Sequence, residues 1–225
     1  MITIEILFWL FIFLIFYAYL GYPLLLVILS VFLHKPVEKR DITPSVSLLI
    51  SAYNEEKAIK QKIENSLSLD YPGEKLETIV ISDASTDRTN DIVGAYCDTP
   101  LRDDGVKLLV QPERMGKTAG LNQAVPKASG EIIVFTDANA MLQKDAIRKL
   151  VSPFADETIG FVSGVTEYIS KRDTGIKEGM GIYSKLEHFI KTKESQICSV
   201  VGADGAIFAI RKNLYEHFHS DHIND

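Results

Sequence analysis

Cysteine is nearly absent from this 225-residue chain: only Cys97 and Cys198 occur, far apart and without CxxC spacing. That excludes a disulfide framework and a thiolate zinc site, and leaves two buried, reduced thiols as the reading. Excess positive charge is missing too. Twenty-four Lys and Arg stand against 30 Asp and Glu, a formal net charge of −6, whereas a nucleic-acid binder presents a basic face. No internal repeat or low-complexity tract is visible. Glycine is lacking where a dinucleotide or triphosphate binder needs it: the loop Tyr53-Asn54-Glu55-Glu56, between the first strand and its helix, has none.

Charge of either sign is absent from Ile6 to Leu33, where Leu, Ile, Phe, Val and Tyr dominate. A bilayer core of about 30 Å takes about 20 helical residues, so residues 1–35 form one N-terminal transmembrane helix with length to spare. A cleaved signal peptide is disfavoured, because the region before the apolar run carries Glu5 and no Lys or Arg. Pro23, after Gly21-Tyr22, predicts a kink, and Tyr17 to Tyr22 fall near mid-depth. Lys35, Lys39 and Arg40 follow the span and no basic residue precedes it, which places the remaining chain on the cytoplasmic face of the cell membrane.

Beyond a linker at 36–44, roughly 190 residues suffice for one full domain over 45–225. Short apolar runs at Val46 to Ser51, Thr78 to Ser82, Val106 to Val110 and Ile132 to Thr136 read as strands. Between them Ile59, Ile63 and Leu67, then Ile92, Val93 and Tyr96, then Lys117 to Val125 read as helices, with Asn54 as the first N-cap. Repeated strand–helix units predict an α/β fold with a mostly parallel, doubly wound sheet. Strand candidates at Ile159 to Val165 and Ala206 to Arg211, with a helix around Ile182 to Ile190, complete the pattern.

In such sheets ligands sit beyond the carboxyl ends of the strands, and the polar clusters fall there. Several acidic loops at one edge repel each other unless a cation meets them. Asp137-Ala138-Asn139 offers a carboxylate and an amide oxygen on one turn, an oxygen donor set suited to Mg or Mn.

Four segments in order carry a resemblance. Ser51-Ala52-Tyr53-Asn54-Glu55-Glu56, Ser82-Asp83-Ala84-Ser85-Thr86-Asp87-Arg88-Thr89, Gly116-Lys117-Thr118-Ala119-Gly120-Leu121-Asn122 and Asp137-Ala138-Asn139 resemble the motifs of family 2 glycosyltransferases, the last being their DxD element. Gly202-Ala203-Asp204-Gly205-Ala206 looks like the segment on the family's acceptor side. The resemblance implies a GT-A type fold, a nucleotide-sugar donor, commonly a UDP-sugar, and a glycan or lipid-linked acceptor in polysaccharide or membrane glycan synthesis. It implies donor contacts from Ala52, Tyr53, Glu55, Asp83, Lys117 and Asp137, a divalent metal on Asp137 and Asn139, and acceptor contacts from Asp204 and Gly205. The expected reaction is an inverting displacement, with Asp225 as general base and Asp221 as second choice. Asn122 is expected to serve structure, and Asp87 either a ligand or a helix cap. Two departures stand out: Asn139 replaces the usual second Asp, and the sequence stops amid the acidic motif, as a C-terminally truncated member would. The competing reading is a non-catalytic, membrane-anchored nucleotide-sugar binder of a synthase complex.

Overall fold

The computed structural model describes residues 2–97, 105–166, 176–200, 202 and 205–218. Two units are distinguished. One contains the helices α1 (Ile2–Phe16), α2 (Tyr22–Leu33) and α7 (Ile176–Ile197); the other contains every strand.

In the first unit a π-helical turn, Tyr17–Gly21, joins α1 to α2, and the Tyr22 amide reaches back to the Tyr17 carbonyl. The irregularity expected at Pro23 is thus taken up one turn earlier, which leaves Pro23 in the first turn of α2, where no amide is needed. Ile2 to Leu33 is 32 residues of continuous helix with mean hydropathy 2.3, long and apolar enough to cross a membrane. All of α1 is exposed, whereas Pro23, Leu26 and Ser30 of α2 are buried. Tyr22 Oη donates to Glu194 on α7 at 2.5 Å, and the Lys35 amide to the Gln196 carbonyl at 2.9 Å. Cys198, just beyond α7, is exposed rather than buried.

The second unit is built on a six-stranded sheet of order β3-β2-β1-β4-β6-β5. The strands are β1 (Val46–Ala52), β2 (Leu76–Ser82), β3 (Val106–Val110), β4 (Ile132–Asp137), β5 (Phe161–Ser163) and β6 (Ile207–Arg211). β3, β2, β1 and β4 run parallel, while β6 is antiparallel to β4 and β5 antiparallel to β6. The helices are α3 (Ile59–Leu67), α4 (Thr89–Cys97), α5 (Lys117–Ala124) and α6 (Ala146–Val151).

Strand alternation sorts the core onto two faces. Leu48 and Ile50 meet Ile59, Ile63, Val93, Ile147 and Leu150 on one side. Leu49, Ile81, Ile133 and Phe135 meet Leu121, Ala124 and Val125 on the other. Both faces of the central strands are covered, so the middle of β1, Leu48-Leu49-Ile50, is apolar on both sides rather than alternating. The expected helix over Lys117 to Val125 ends at Ala124 and tightens into a 3₁₀ turn, Val125–Lys127, around Pro126. Register places Ala52 opposite Ser82, Ser82 opposite Val110 and Ser51 opposite Asp137. Four strands therefore end level, and the loops that follow open at one edge.

Candidate functional site

Order 3-2-1-4 reverses direction between β1 and β4, the switch point where open α/β sheets bind ligands. The loops after β1 and β2 are laced together there. Asn54, which the sequence marks as a helix cap, instead adopts φ 54° and accepts from the Thr86 amide at 2.9 Å, because α3 begins only at Ile59. The Glu55 amide donates to Thr89 Oγ1 at 2.8 Å, and the Glu56 amide to Asp87 Oδ2 at 3.0 Å. Asp87 also accepts from the Thr89 amide at the start of α4. Desolvation pushes its carboxyl up, but the bonds from Thr89 and Glu56 prevail and hold it below the usual carboxylate range. Asp87 is a capping residue in this arrangement.

Ala52 closes β1, buried, and its carbonyl accepts from the Asp83 amide at 3.0 Å. Asp83 then fastens the loop before α5. Its carboxylate accepts from the Met115 amide at 2.8 Å, the Gly116 amide at 3.1 Å and Gln111 Nε2 at 2.9 Å. Gly116 has φ 85°, a backbone region that disfavours any side chain. This turn aims Lys117, whose Nζ donates to Asp137 Oδ1 at 2.9 Å and to the Gly205 carbonyl at 3.4 Å. Both partners are partly exposed, the side chains at 23% and 36%, so the pair faces solvent. The Ala138 amide bonds back to the Ser51 carbonyl at 3.2 Å. Ala52, Asp83, Lys117, Asp137 and Gly205 are thereby linked, contact by contact, around one end of the sheet.

Tyr53 lies at its rim, exposed, with the Arg114 guanidinium 4.1 Å above its ring. Asn139 is exposed on the turn after β4, and the Glu55 carbonyl accepts from the Ala58 and Ile59 amides to start α3. Asn122 is structural, as expected: its Oδ1 accepts from Tyr215 Oη at 2.9 Å and its Nδ2 donates to the Phe218 carbonyl at 2.7 Å. Asp204, Asp221 and Asp225 lie outside the described residues.

Three residues escaped the sequence reading. Arg114 stands two places before the third motif's glycine, and Gln111 immediately follows β3. Lys62 is wholly buried and donates from Nζ to Thr136 Oγ1 at 3.0 Å and to the Ala140 carbonyl. A signal for Lys62 existed: it shares the 59, 62, 63, 66 stripe that α3 turns inward.

Among the described residues no three His, Cys, Asp or Glu side chains converge as a metal cage. One carboxylate and one amide oxygen fit a divalent cation that takes most of its ligands from water and phosphate. The Lys117 ammonium already meets the carboxylate that would serve it.

The family model described as Glycosyl transferase family 2 matches residues 47–218. Probable glycosyltransferase YdaM of Bacillus subtilis is 32% identical over 181 residues, covering 77% of this chain and 42% of that protein. A beta-monoglucosyldiacylglycerol synthase of Synechocystis sp. is 36% identical over 121 residues, covering 52% of this chain and 24% of that one. Among solved structures, the mannosyltransferase PcManGT of Pyrobaculum calidifontis, in complex with GDP-Man and Mn²⁺, is 31% identical with a TM-score of 0.74. It covers 91% of this chain, which spans 57% of that structure. This chain spans less than half the length of either curated relative. The expected GT-A type fold is thus found, with a sheet closed at one edge by the antiparallel pair β6 and β5.

Proposed function

The chain belongs to glycosyl transferase family 2, and from that premise we propose that it moves a sugar from a nucleoside-diphosphate sugar to a glycan or lipid-linked acceptor at the cytoplasmic face of a membrane. The observation that carries this reading is the Lys117–Asp137 pair at the switch point of the sheet, coupled through Gly116 to Asp83. A lysine at a helix start is a point charge able to meet a diphosphate beside free backbone amides. Asp83, an acceptor with lone pairs to spare, is suited to an N–H on a base edge, and the exposed Tyr53, stacked under Arg114, adds an aromatic ring at the rim.

The chemistry follows from these roles. The acceptor hydroxyl attacks the anomeric carbon in line, its proton passes to a carboxylate (Asp225, with Asp221 second), and the C–O bond to the nucleoside diphosphate breaks with inversion. Lys117 meets the negative charge that grows on the leaving phosphate, a preorganised electrostatic effect. Asp137 and Asn139 would hold Mg or Mn, whose charge supplies Lewis-acid stabilisation of the same group. A correctly placed carboxylate base contributes typically ~10²–10⁴-fold.

Uridine is the expected nucleoside. Guanosine is the second reading, favoured by the likeness to a mannosyltransferase solved with GDP-Man. A lipid acceptor is supported by the apolar helix and by the likeness to a beta-monoglucosyldiacylglycerol synthase. Lys35, Lys39 and Arg40 after the helix support the cytoplasmic orientation. Calorimetric titration of UDP and GDP, with and without Mn²⁺, tests the donor site. Metal-dependent binding of one nucleotide is expected, weakened at least tenfold by Asp137→Ala. Folded protein that binds neither nucleotide under any metal condition would falsify the reading.

A further inference from the structure

Lys62 is an anomaly on physical grounds. Its side chain is wholly excluded from solvent inside α3, in the row with Ile59, Ile63 and Ser66. Taking an ammonium out of water is costly, and a methionine would fill the same space without that cost. Burial pushes its pKa down to about 7, against the opposing pull of the Asp137 charge. A retained buried ammonium therefore needs a task that an apolar side chain cannot perform.

Its partners identify the task. Thr136 immediately precedes Asp137, and Ala140 immediately follows Asn139. Lys62 Nζ donates to both, so one ammonium ties together the two ends of the Asp137-Ala138-Asn139 turn. Within the turn the Ala140 amide reaches the Asp137 carbonyl at 3.2 Å. Nearly one turn on, at i+3 along α3, Asn65 accepts from the Leu142 amide and donates to the Leu142 carbonyl, both at 2.8 Å. The inward edge of α3 is thus a clamp on residues 136–142, and its charged jaw lies directly behind the turn.

We propose that Lys62 is a positioning residue that holds the Asp137–Asn139 turn in the geometry needed to take a metal–diphosphate group. The inference rests on the donor-site reading above. Residues that orient ligands from behind typically change metal affinity 10–100-fold when removed. A residue that merely fills space would do no such thing.

The test uses the whole chain in detergent. UDP and GDP affinities are measured with and without Mn²⁺ for wild type, Lys62→Met and Thr136→Val, alongside thermal unfolding and amide exchange in metal-free protein. Lys62→Met is expected to lower the metal-dependent gain in nucleotide affinity about tenfold while metal-free nucleotide affinity stays within twofold. Ala140 and Leu142 amides are expected to exchange faster in the same variant. Thr136→Val, which removes one acceptor at nearly constant volume, is expected to lower the gain about threefold. Should Lys62→Met not fold, Thr136→Val decides by that threefold criterion. A metal-dependent gain retained within twofold, or an equal loss with and without metal, overturns the proposal and leaves Lys62 a core residue. Wild-type protein that binds neither nucleotide overturns the donor-site reading, and this inference with it.

Discussion

At the scale of single residues, two charges shielded from water, Glu77 and Lys62, each make stability rise with pH, in separate windows. Glu77, at the far end of the sheet from the site, accepts from Ser47 Oγ, the Ser129 amide and Lys107. Burial raises its pKa, but these donors win and bring it down to about 2 from 4.5. A depressed carboxylate stabilises the fold fully above its unfolded pKa, near 4.5, and loses that contribution as pH falls toward 2. The shift corresponds to roughly 1–3 kcal/mol, reduced because Lys107 is exposed. Chemical unfolding of wild type and Glu77→Gln is expected to differ by that amount at pH 6 and to converge only as pH falls to about 2. A difference independent of pH would refute the assignment. Lys62 acts in the same direction at higher pH: the unfolded chain holds its proton up to about 10.5, the folded chain only to about 7, so here a cost is relieved, rather than a gain acquired, as pH rises across that window. Strain is also local. Ala84, between Asp83 and Ser85, has φ 54°, a left-handed conformation costing about 1–2 kcal/mol outside glycine.

Among the elements, the N-terminal helix poses a problem of length. Its 32 residues extend about 48 Å, well beyond a hydrocarbon core of about 30 Å. Residues of α1 are exposed on every side, as lipid contact requires, but α2 packs against α7, which carries Lys185, Glu187, Lys191, Lys193 and Glu194. Such charges do not reside in hydrocarbon. On the membrane reading, the boundary therefore falls near the π turn, with Tyr17, Tyr19 and Tyr22 in the interfacial belt that aromatic residues favour. Sequence alone placed these tyrosines at mid-depth, because a helix read in isolation has no partner to limit its immersion. In liposomes, with Cys97 and Cys198 replaced by serine, a spin label at Ile12→Cys is expected deep in the bilayer and one at Val31→Cys at or above the phosphates. A deep signal at Val31 would show that the entire helix is immersed.

At the scale of the whole molecule, charge balance sets the order of binding that the proposed donor site predicts. Asp137 is the sole carboxylate of its turn, since Asn139 contributes no charge, and Lys117 engages it at 2.9 Å. A divalent ion arriving alone must displace an ammonium for one anionic ligand, whereas one arriving on a diphosphate brings its own anions and gives Lys117 a new partner. Mn²⁺ affinity is therefore expected to rise at least tenfold when UDP or GDP is present, measured by paramagnetic titration. Tight Mn²⁺ binding to donor-free protein, abolished by Asn139→Ala, would contradict this balance.

The sequence by itself determined the strand order along the chain, the apolar helix, the glycine turn before Lys117 and the loops that face one another. These depend on local periodicity and on turn chemistry, which neighbouring residues carry within a few positions. Tertiary structure decided what those residues touch. Asn54 looked like a helix cap because its side chain suits that role, yet α3 starts later and Asn54 bonds across to Thr86. Asp83 could be assigned to the site from its motif, but not its grip on the Gly116 loop, which joins residues 33 positions apart. Lys62 and Thr136, 74 positions apart, carry no local pattern that pairs them. Only the fold brings the Lys62 ammonium of α3 to the end of β4, and low dielectric makes that contact matter.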